Sequence, residues 1–545
     1  MNADPPLNKS RGALSRFPRL TGWHVAATAL LALVFVFISN AAVWHTDVWG
    51  HLRFGEYIVR EHRLPEHEMF SGDYADQERP YLNFQWLAQA GSYLVYDTGA
   101  RMARGDAHHQ LAGGALALAT EHAAAAVLRL LIILLVFRRL TGSLGMALLG
   151  VVLTLVFSLE HVLVHRPQMF GEICFALLFL PLSRPLLSRR ALFLIPLVMV
   201  LWANCHGSFP MGFVVLGAFI AGRAIEVASD QWLVASKEGA LLATSRGSLA
   251  NRLFHDVSLR RFILAITFSL VAVVVLNPHG MRVFEYVAAM SNHENIRTME
   301  EWKQLPVKSL AGYLFLASIL MMAALARLSP RRFTPTQALL LLGLGVQVLA
   351  HWRVMVWWGF VAVWVALPHI QALLVRGHRA ASARPRLGMT ALTLAVALAG
   401  LLLSGPGLWA AGYRREPGRH VTDKTPWQVA DYLREQYAAD PKLSRCIFTS
   451  ETTGDYLLWN LRLDPSVHVF CYTHVHLLTV KHWNECMRVK FAEPGWEAVL
   501  EREHVKFLIV ENIALYRQLM EAVEAAGDRW EVVSTAPLFV ARRRS

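Results

Sequence analysis

The sequence predicts an all-α polytopic membrane bundle followed by a C-terminal soluble α/β domain. Of the 545 residues, 54% are hydrophobic and only 17% are charged, whereas soluble domains are about a quarter charged. The apolar residues cluster into long runs, and most Lys and Arg residues lie at the ends of those runs. Both patterns are typical of transmembrane helices. The net charge of +13 therefore indicates membrane topology, since a nucleic-acid-binding surface would concentrate its basic residues in one stripe.

The apolar runs predict about eleven transmembrane helices. A spanning helix needs about 20 apolar residues, and the shorter runs span if packing between helices shelters their polar flanks. The run Trp23–Val43 is too long for a signal-peptide core and lacks a cleavage site, so we expect an uncleaved first helix. The other candidate spans are Ala112–Phe137, Leu144–Leu159, Val162–Leu182, Ala191–Ala203, Met211–Ala221, Phe262–Leu276, Leu310–Ala326, Ala338–Ala350, Val354–Val375 and Met389–Trp409.

The distribution of basic residues predicts the orientation of the bundle in the inner (plasma) membrane. Lys9, Arg11, Arg16 and Arg19 place the N-terminus in the cytoplasm, because cytoplasmic loops carry an excess of Lys and Arg. When the turns are counted forward, every strongly basic loop falls on that same side. These loops contain Arg138/Arg139, Arg184/Arg189/Arg190, Arg223 through Arg261, Arg327/Arg331/Arg332 and Arg376 through Arg386.

The opposite, extracytoplasmic face receives short segments of a different composition. They are rich in His, Asn, Arg, Trp and carboxylates, which is the composition of a functional site rather than of a simple connection. The segments are His45–His51, His165–Gln168, Asn204–Gly207, Asn277–Gly280, Met299–Gln304 and His351–Arg353. Their position on one face predicts a single extracytoplasmic site.

Two regions outside the spans divide the chain into a transmembrane domain, residues 1–412, and an extracytoplasmic α/β domain, residues 413–545. The first outer loop, residues 44–110, contains an amphipathic stretch at Phe84–Tyr96, which predicts a helix lying in the membrane interface. The C-terminal region alternates helix-like and strand-like stretches. The helix-like stretches are Pro426–Tyr437 and Ala514–Ala526, and the strand-like ones are Arg445–Thr449, Val467–Tyr472, Val505–Val510 and Trp530–Ala541.

The five cysteines carry no metal-binding pattern. None forms a CxxC pair or a zinc-type spacing. Cys446, Cys471 and Cys486 lie in the region placed outside the cytoplasm, where disulfides form. The sequence therefore allows one disulfide there and leaves its pairing open.

An ordered series of motifs follows the first span. Asp47 is followed by Trp49, by the pair His51-Leu52, and then by a turn at Pro65…Phe70-Ser71 and by Trp86-Leu87 before the interfacial stretch. This series resembles the first outer loop of bacterial GT-C superfamily membrane glycosyltransferases. The resemblance covers most of the chain. Later segments that share it are Arg166–Gln168, Trp202–Gly207, Asn277–Gly280, Glu301-Trp302 and Gly454–Trp459.

The resemblance implies a GT-C-like bundle with an outward-facing cavity and a hexosyl or pentosyl transferase activity. The donor would be a sugar linked to polyprenyl phosphate, and the acceptor a glycan, lipid or protein of the cell envelope. Asp47 matches the carboxylate that acts as the base. No second acidic residue lies directly beside Asp47, so the resemblance assigns no metal ligand and leaves a divalent cation open. Membrane lipid is an expected partner, and nucleic acid is not.

The residue type and position of Asp47 allow two interpretations of its role. A carboxylate just past the first span can accept a proton from a hydroxyl or hold a divalent cation. It can also cap the helix-forming segment that follows it.

Arg166 and Arg353 each lie at an outer membrane boundary. A lipid-phosphate donor needs cations at about headgroup depth, and the planar guanidinium matches phosphate oxygens. The alternatives are snorkelling or a structural ion pair with Glu172 or Glu301.

The remaining candidates are assigned to substrate binding. The histidines have no metal-binding spacing, and His51 and His206 are the foremost of them. The asparagines favour helix capping over sugar binding, whereas an acidic residue beside an indole suits sugar recognition as well as a solvated loop. The substrate-binding candidates are His51, Gln168, Asn204, His206, Asn277, His279, Glu301 and Trp302.

Two other functions remain open from the sequence. A transporter or flippase would need broken helices and ionisable groups near mid-membrane, and Glu121, His122 and Arg129 are the residues of that kind. A non-catalytic scaffold of cell-envelope assembly would have no cavity that joins Asp47 to Arg353.

Overall fold

A computed structural model describes residues 20–43, 47–70, 81–184, 186–238, 249–375, 386–413, 419–464 and 466–544. The basic N-terminal residues, His45, Ser71 and most of the loop 376–386 lie outside these ranges. Up to residue 413 the described elements are helical. The helices are α1 (Gly22–Asn40), α2 (Val48–Glu61), α3 (Trp86–Ala103), α4 (Ala107–Thr141), α5 (Leu144–Val162), α6 (Gln168–Leu182), α7 (Ala191–Cys205), α8 (Pro210–Glu238), α9 (Leu249–His255), α10 (Val257–Leu276), α11 (Arg282–Ser291), α12 (Glu294–Thr298), α13 (Leu310–Leu328), α14 (Pro335–Ala350), α15 (Met355–Val375), α16 (Leu387–Leu403) and α17 (Gly405–Ala410).

Each of the apolar runs corresponds to a helix or to a helix pair in this structure. Among the described residues, 5 helical segments are long and apolar enough to cross a membrane by themselves. They are Gly22–Asn40, Pro210–Ser229, Val257–Leu276, Leu310–Leu328 and Trp352–Leu374. Large apolar side chains such as Leu33, Phe193 and Leu342 face outward, as expected of a surface in contact with lipid. The prediction of a helical membrane bundle is confirmed, and the number of eleven crossings stays a prediction.

Helix α15 forms the centre of the bundle. It contacts α5, α13 and α14, and Trp358, Val361 and Val365 on it are fully buried. Lipid tails are as apolar as these side chains, so the helices associate through close van der Waals packing rather than through the hydrophobic effect.

The longest helix, α4, joins this bundle to the first outer loop. It packs against α1, α3, α5 and α6. Gly99 of α3 and Gly113 of α4 face each other so closely that a Cβ on either residue would collide with the carbonyl of the other. This contact holds the outer loop against the bundle. Helix α3 begins at Trp86, two residues after the start of the predicted interfacial stretch, and extends beyond it to Ala103.

The C-terminal region forms a mixed five-stranded sheet with helices, as the sequence predicts. The strand order is β2-β1-β3-β5-β4; β1 runs parallel to β2 and β3, and β5 runs antiparallel to β3 and β4. The elements are α18 (Trp427–Ala439), β1 (Cys446–Thr449), α19 (Glu451–Asn460), β2 (His468–Val469), α20 (Val480–Lys490), α21 (Trp496–Arg502), β3 (Phe507–Glu511), α22 (Arg517–Ala525), β4 (Trp530–Ser534) and β5 (Leu538–Arg543).

Three details of this region differ from the sequence prediction. The stretch Trp530–Ala541, predicted as one strand, is a hairpin of two strands, because the turn around Pro537 interrupts it. The allowed disulfide is absent, since Cys446, Cys471 and Cys486 are buried free thiols. Helices α19, α20 and α21 were not predicted.

The C-terminal domain rests on helix α2, the element that follows Asp47. Helices α2 and α19 are in contact, and the Trp49 and Tyr456 rings meet edge to face with centroids 4.9 Å apart. An ion pair between Arg462 Nε and Glu56 Oε2, 3.0 Å long, crosses the same boundary. The position of Asp47 therefore depends on both domains.

Candidate functional site

Four charged side chains from separate segments meet at the end of the bundle that faces the C-terminal domain. Asp47 precedes α2, Arg166 lies between α5 and α6, and Glu301 and Arg353 lie in two single 3₁₀ turns, Glu300–Trp302 and Trp352–Val354. Arg166 Nε is 3.2 Å from Asp47 Oδ1, and a second nitrogen of Arg166 pairs with Glu301. We call Asp47, Arg166, Glu301 and Arg353 the charged cluster.

The Arg353 side chain of the charged cluster lies over an aromatic ring. Its guanidinium carbon lies 4.5 Å from the ring centroid of Trp302, a cation–π distance. It is within electrostatic range of Asp47, Arg166 and Glu301. Among the described residues Arg353 has no direct ion pair, so its charge is the one available to a further anion.

Asp47 occupies the N-cap position of α2, but its side chain makes no capping hydrogen bond. The carboxylate turns instead towards Arg166 and His51, whose Nε2 is 3.7 Å from Asp47 Oδ2. Burial alone would raise the pKa of Asp47, but Arg166 and then His51 outweigh it and hold this pKa below its ordinary value. The carboxylate is therefore ionised at neutral pH and able to accept a proton.

Glu301 and Arg166 also favour each other's charged form. Burial acts to raise the pKa of Glu301, but the charges of Arg166 and Arg353 lower it below its ordinary value. Arg166 has a raised pKa because Asp47 and Glu301 outweigh its burial. Two carboxylates and two guanidinium groups give the cluster no net charge.

The short segment that carries Arg166 is anchored to helix α4 on both sides. His165 Nε2 is 3.3 Å from Glu121 Oε2. Gln168 donates to Glu172 across 3.3 Å, and Glu172 pairs with the buried Arg129. Gln168, a predicted substrate-binding residue, therefore contacts the Glu172–Arg129 ion pair rather than the charged cluster. The mid-membrane groups Glu121 and Arg129 have structural partners here.

His206 is brought near the charged cluster at the end of α7. Its Nδ1 accepts a hydrogen bond from the Ser208 backbone N–H, 3.1 Å long. Burial, followed by the charges of Arg353 and His51, lowers the pKa of His206 to about 3, although Asp47 opposes this. The imidazole is therefore neutral at physiological pH.

Asn204 and Asn277 tie helix ends together. The Trp86 indole N–H donates to Asn204 Oδ1 across 2.7 Å, and Asn277 Nδ2 donates to the Ala203 carbonyl across 3.1 Å. The backbone N–H of His279 donates to Asn277 Oδ1 across 2.9 Å. These contacts match the capping alternative, and they connect α3, α7 and α10 below the site.

Two residues of the C-terminal domain that were not among the predicted site residues lie near Asp47. The His474 ring lies 4.8 Å from that of His51, and burial, followed by His51, holds the pKa of His474 well below its ordinary value. Asp455 is fully buried under Gly50, and burial raises its pKa well above the ordinary value. Asp455 falls in the Gly454–Trp459 motif, whereas no sequence pattern marked His474.

Two cavities open at the same end of the molecule. One of about 660 Å³ is lined by Arg297, Trp302, Lys303 and His351, among others. The second, of about 500 Å³, lies between α11 and the C-terminal domain. Trp302 therefore lines the first cavity and also contacts Arg353.

No family model matches the chain, and no curated protein matches its sequence. Its three-dimensional structure does have solved counterparts. An archaeal oligosaccharyltransferase, AglB from Archaeoglobus fulgidus, in complex with an inhibitory peptide and a dolichol-phosphate, matches with a TM-score of 0.50 and 13% identity over 96% of this chain and 74% of that chain. The apo form of the Archaeoglobus fulgidus oligosaccharyltransferase matches with a TM-score of 0.50 and 14% identity over 91% of this chain and 71% of that chain.

The fold is the GT-C fold. This likeness, at such low identity, establishes the architecture: a membrane bundle followed by a C-terminal domain. Within the GT-C fold of this chain, the charged cluster lies where segments between bundle helices meet the C-terminal domain.

The site does not fit a divalent cation in this arrangement. Asp47 and Glu301 both contact Arg166, so a guanidinium occupies the space between the two carboxylates. Across the described ranges, no group of three or more His, Cys, Asp or Glu side chains is arranged to hold a metal ion.

Proposed function

We propose that this chain is a membrane glycosyltransferase that moves a sugar from a polyprenyl-phosphate donor to an acceptor on the extracytoplasmic face. The observation that carries the proposal is the charged cluster. It unites an ionised carboxylate and two guanidinium groups that are separated by more than a hundred residues in the sequence. The GT-C fold supports the same proposed function. The peptide and dolichol-phosphate in the archaeal counterpart make a lipid-linked donor the natural candidate here.

Asp47 would act as the general base. An acceptor hydroxyl would attack the anomeric carbon, its oxygen would form the new glycosidic bond, and its proton would pass to the Asp47 carboxylate. The bond between the anomeric carbon and the phosphate oxygen would break, and polyprenyl phosphate would leave with the bonding electrons. An ionised Asp47 is in the form that this step needs.

Arg353 and Arg166 would stabilise the negative charge on the leaving phosphate. Arg353 is held on the Trp302 ring, which orients its planar donors without using them, so they remain for phosphate oxygens. Arg166 already pairs with Asp47 and Glu301. Preorganised donors of this kind commonly account for the largest part of catalysis.

The proposed site also assigns roles to the aromatic and carboxylate groups beside it. The Trp302 face, next to the cavity of about 660 Å³, would pack against sugar C–H groups. Glu301 and the neutral His206 would accept or donate hydrogen bonds to sugar hydroxyls. The transmembrane region, residues 1–412, would hold the donor lipid, and residues 413–545 would lie outside the cytoplasm, where they position Asp47.

The test is sugar transfer from a polyprenyl-phosphate sugar by the purified full-length protein. We expect Asp47→Asn to lower the rate by about 100-fold or more, because general-base catalysis contributes about 10²–10⁴-fold. Asp97→Asn is the matched control, since Asp97 pairs with Arg101 on α3 and has no place in the charged cluster. Unchanged transfer by Asp47→Asn would contradict the role of Asp47. Mass spectrometry of envelope glycans from a deletion strain would identify the sugar and the acceptor.

A further inference from the structure

A buried chain of amides connects to His51 on the side away from Asp47. Asn83 and Gln89 are each only 1% exposed. Asn83 Nδ2 is 2.7 Å from Gln89 Oε1, and Gln89 Nε2 is 3.0 Å from His51 Nδ1. His51 Nε2 in turn faces Asp47 Oδ2. His51, Gln89 and Asn83 therefore form a series of three side chains that begins beside the candidate base Asp47.

The direction of every hydrogen bond in this chain is fixed by a backbone group. The Gln85 N–H donates to Asn83 Oδ1 across 3.2 Å, and a backbone N–H has no alternative role. Asn83 must therefore present its amide nitrogen to Gln89, which accepts through Oε1. Gln89 then presents its own amide nitrogen, which donates to His51 Nδ1. An imidazole that accepts at Nδ1 carries its proton on Nε2.

We propose that Asn83 and Gln89 are positioning residues that fix His51 as the Nε2–H tautomer and aim that N–H at Asp47. The two Asp47 oxygens then have separate neighbours: Arg166 Nε lies 3.2 Å from Oδ1 and His51 Nε2 lies 3.7 Å from Oδ2. A cation near one oxygen and an N–H group that points at the other favour the ionised carboxylate and its orientation. The catalytic part of this inference rests on the proposed function, whereas the tautomer does not.

Among the described residues, the hydrogen-bond partner of His51 Nδ1 is the Gln89 amide. The His474 ring from the C-terminal domain meets His51 edge to face, and it is neutral because burial lowers its pKa. Four other charged or titratable groups act on Asp47: Arg166, Glu301, Arg353 and the buried Asp455. His206 and His476 act on His51, and Tyr81 forms a hydrogen bond with the Gln89 amide. All of these act on the tautomer less directly than the Gln89 amide, which touches Nδ1.

The first test measures the tautomer without any substrate. Full-length protein with ¹⁵N-labelled histidine is placed in lipid nanodiscs, and the His51 signals are assigned by their loss in His51→Gln. We expect an unprotonated Nδ1 and a protonated Nε2. We expect Gln89→Glu, which has the same shape but presents a carboxylate oxygen, to place a proton on Nδ1. A protonated Nδ1 in the unmodified protein, or a Gln89→Glu spectrum identical to it, would overturn the proposal.

The second test measures transfer kinetics. We expect Gln89→Glu and Gln89→Leu to lower kcat by about 10-fold to 100-fold with little change in KM, since small misplacements of reacting groups cost about that much. With Gln89→Leu the acid limb of the pH profile should move to higher pH, because the Asp47 carboxylate loses an oriented donor. His51→Gln, whose amide reaches the same place as Nε2–H, should retain more activity than His51→Leu. The control is Gln110→Leu, since Gln110 is an exposed amide that contacts the Gly105 carbonyl.

The outcomes separate the two proposals. Unmodified protein that shows the expected tautomer but transfers no sugar from any lipid donor contradicts the proposed function and leaves the tautomer inference intact. Active protein whose kcat and pH profile are unaffected by both Gln89 variants contradicts the positioning role. Gln89→Glu keeps the shape of the buried side chain, so it tests the positioning role even if Gln89→Leu fails to fold.

Discussion

At the scale of single residues, the site depends on one arginine shared by two carboxylates. Arg166 contacts Asp47 and Glu301, which lie 254 positions apart in the sequence (301 − 47). Without it, two carboxylates would face each other in a partly buried site, and one of them would take up a proton. Arg166 therefore keeps Asp47 in the basic form, whatever else it does for the phosphate.

Replacement of Arg166 should change the pH dependence of transfer. The pKa of Asp47 lies below its ordinary value because Arg166 and His51 outweigh burial. In Arg166→Gln that pKa should rise, so the carboxylate becomes protonated, and activity is lost, at a higher pH than in the unmodified protein. The measurement is the acid limb of kcat/KM against pH. A limb that does not move would show that Arg166 does not control the ionisation of Asp47.

At the scale of elements, helix α2 is held by a close contact at a glycine. A Cβ at Gly50 would lie 2.9 Å from Asp455 Oδ2 of α19. Asp455 is itself fixed, since the Thr473 N–H donates to its Oδ1 across 3.1 Å. The contact leaves no space for a side chain, so it sets how deeply α2 sits against the C-terminal domain.

Gly50→Ala should therefore destabilise the protein by about 1–3 kcal/mol, the usual cost of overpacking, and lower transfer activity by displacing Asp47. Gly91→Ala is the matched control: Gly91 lies inside helix α3 and a Cβ there meets nothing within 4 Å. That change should be neutral or stabilising, because alanine favours a helix by about 0.5–1 kcal/mol. Thermal unfolding in detergent measures both variants, and equal shifts would contradict this account of Gly50.

A second contact between elements lies behind Arg166 and joins helices α6 and α4. The Gln168, Glu172 and Arg129 side chains link the start of α6 to α4 inside the bundle. Removal of one member of a buried ion pair leaves the other charge uncompensated, which typically costs about 3–5 kcal/mol.

We therefore expect Glu172→Gln to lower the unfolding temperature strongly, and to weaken transfer because the Arg166 segment loses its anchor. The control is Glu435→Gln, an exposed glutamate on α18, which should leave the unfolding temperature unchanged. Simultaneous replacement of Arg129 and Glu172 by apolar residues should restore part of the stability. If Glu172→Gln unfolds at the same temperature as the control, the pair does not brace the segment.

At the scale of the whole molecule, the charged cluster and the C-terminal domain lie at the same end of the bundle. The contacts of α2 with α19 and of His51 with His474 require this. The distribution of basic residues predicts that this end is extracytoplasmic. The orientation therefore decides whether the site is exposed to donors and acceptors on the extracytoplasmic or on the cytoplasmic side.

Cysteine labelling would test that orientation directly. The five native cysteines are buried, so they give little background with a membrane-impermeant maleimide. Asp528→Cys, at an exposed turn of the C-terminal domain, should be labelled in intact cells. Arg331→Cys, in the exposed loop before α14, should be labelled only after the cells are opened. The reverse pattern would invert the predicted topology.

The sequence by itself determined the apolar helices of the bundle, because a run of apolar residues long enough to cross a bilayer has few alternatives to a helix in lipid. It also selected Asp47, Arg166, Glu301 and Arg353 as candidates, since charged residues near the membrane boundary are costly to place there without a role. Only the tertiary structure decided which of them meet. Asp47 and Arg166 are 119 positions apart, and no local pattern encodes a 3.2 Å contact over that distance. The same reason explains why His474 was missed and why Asn277 proved to connect helices: their partners lie on other elements, and packing alone brings them together.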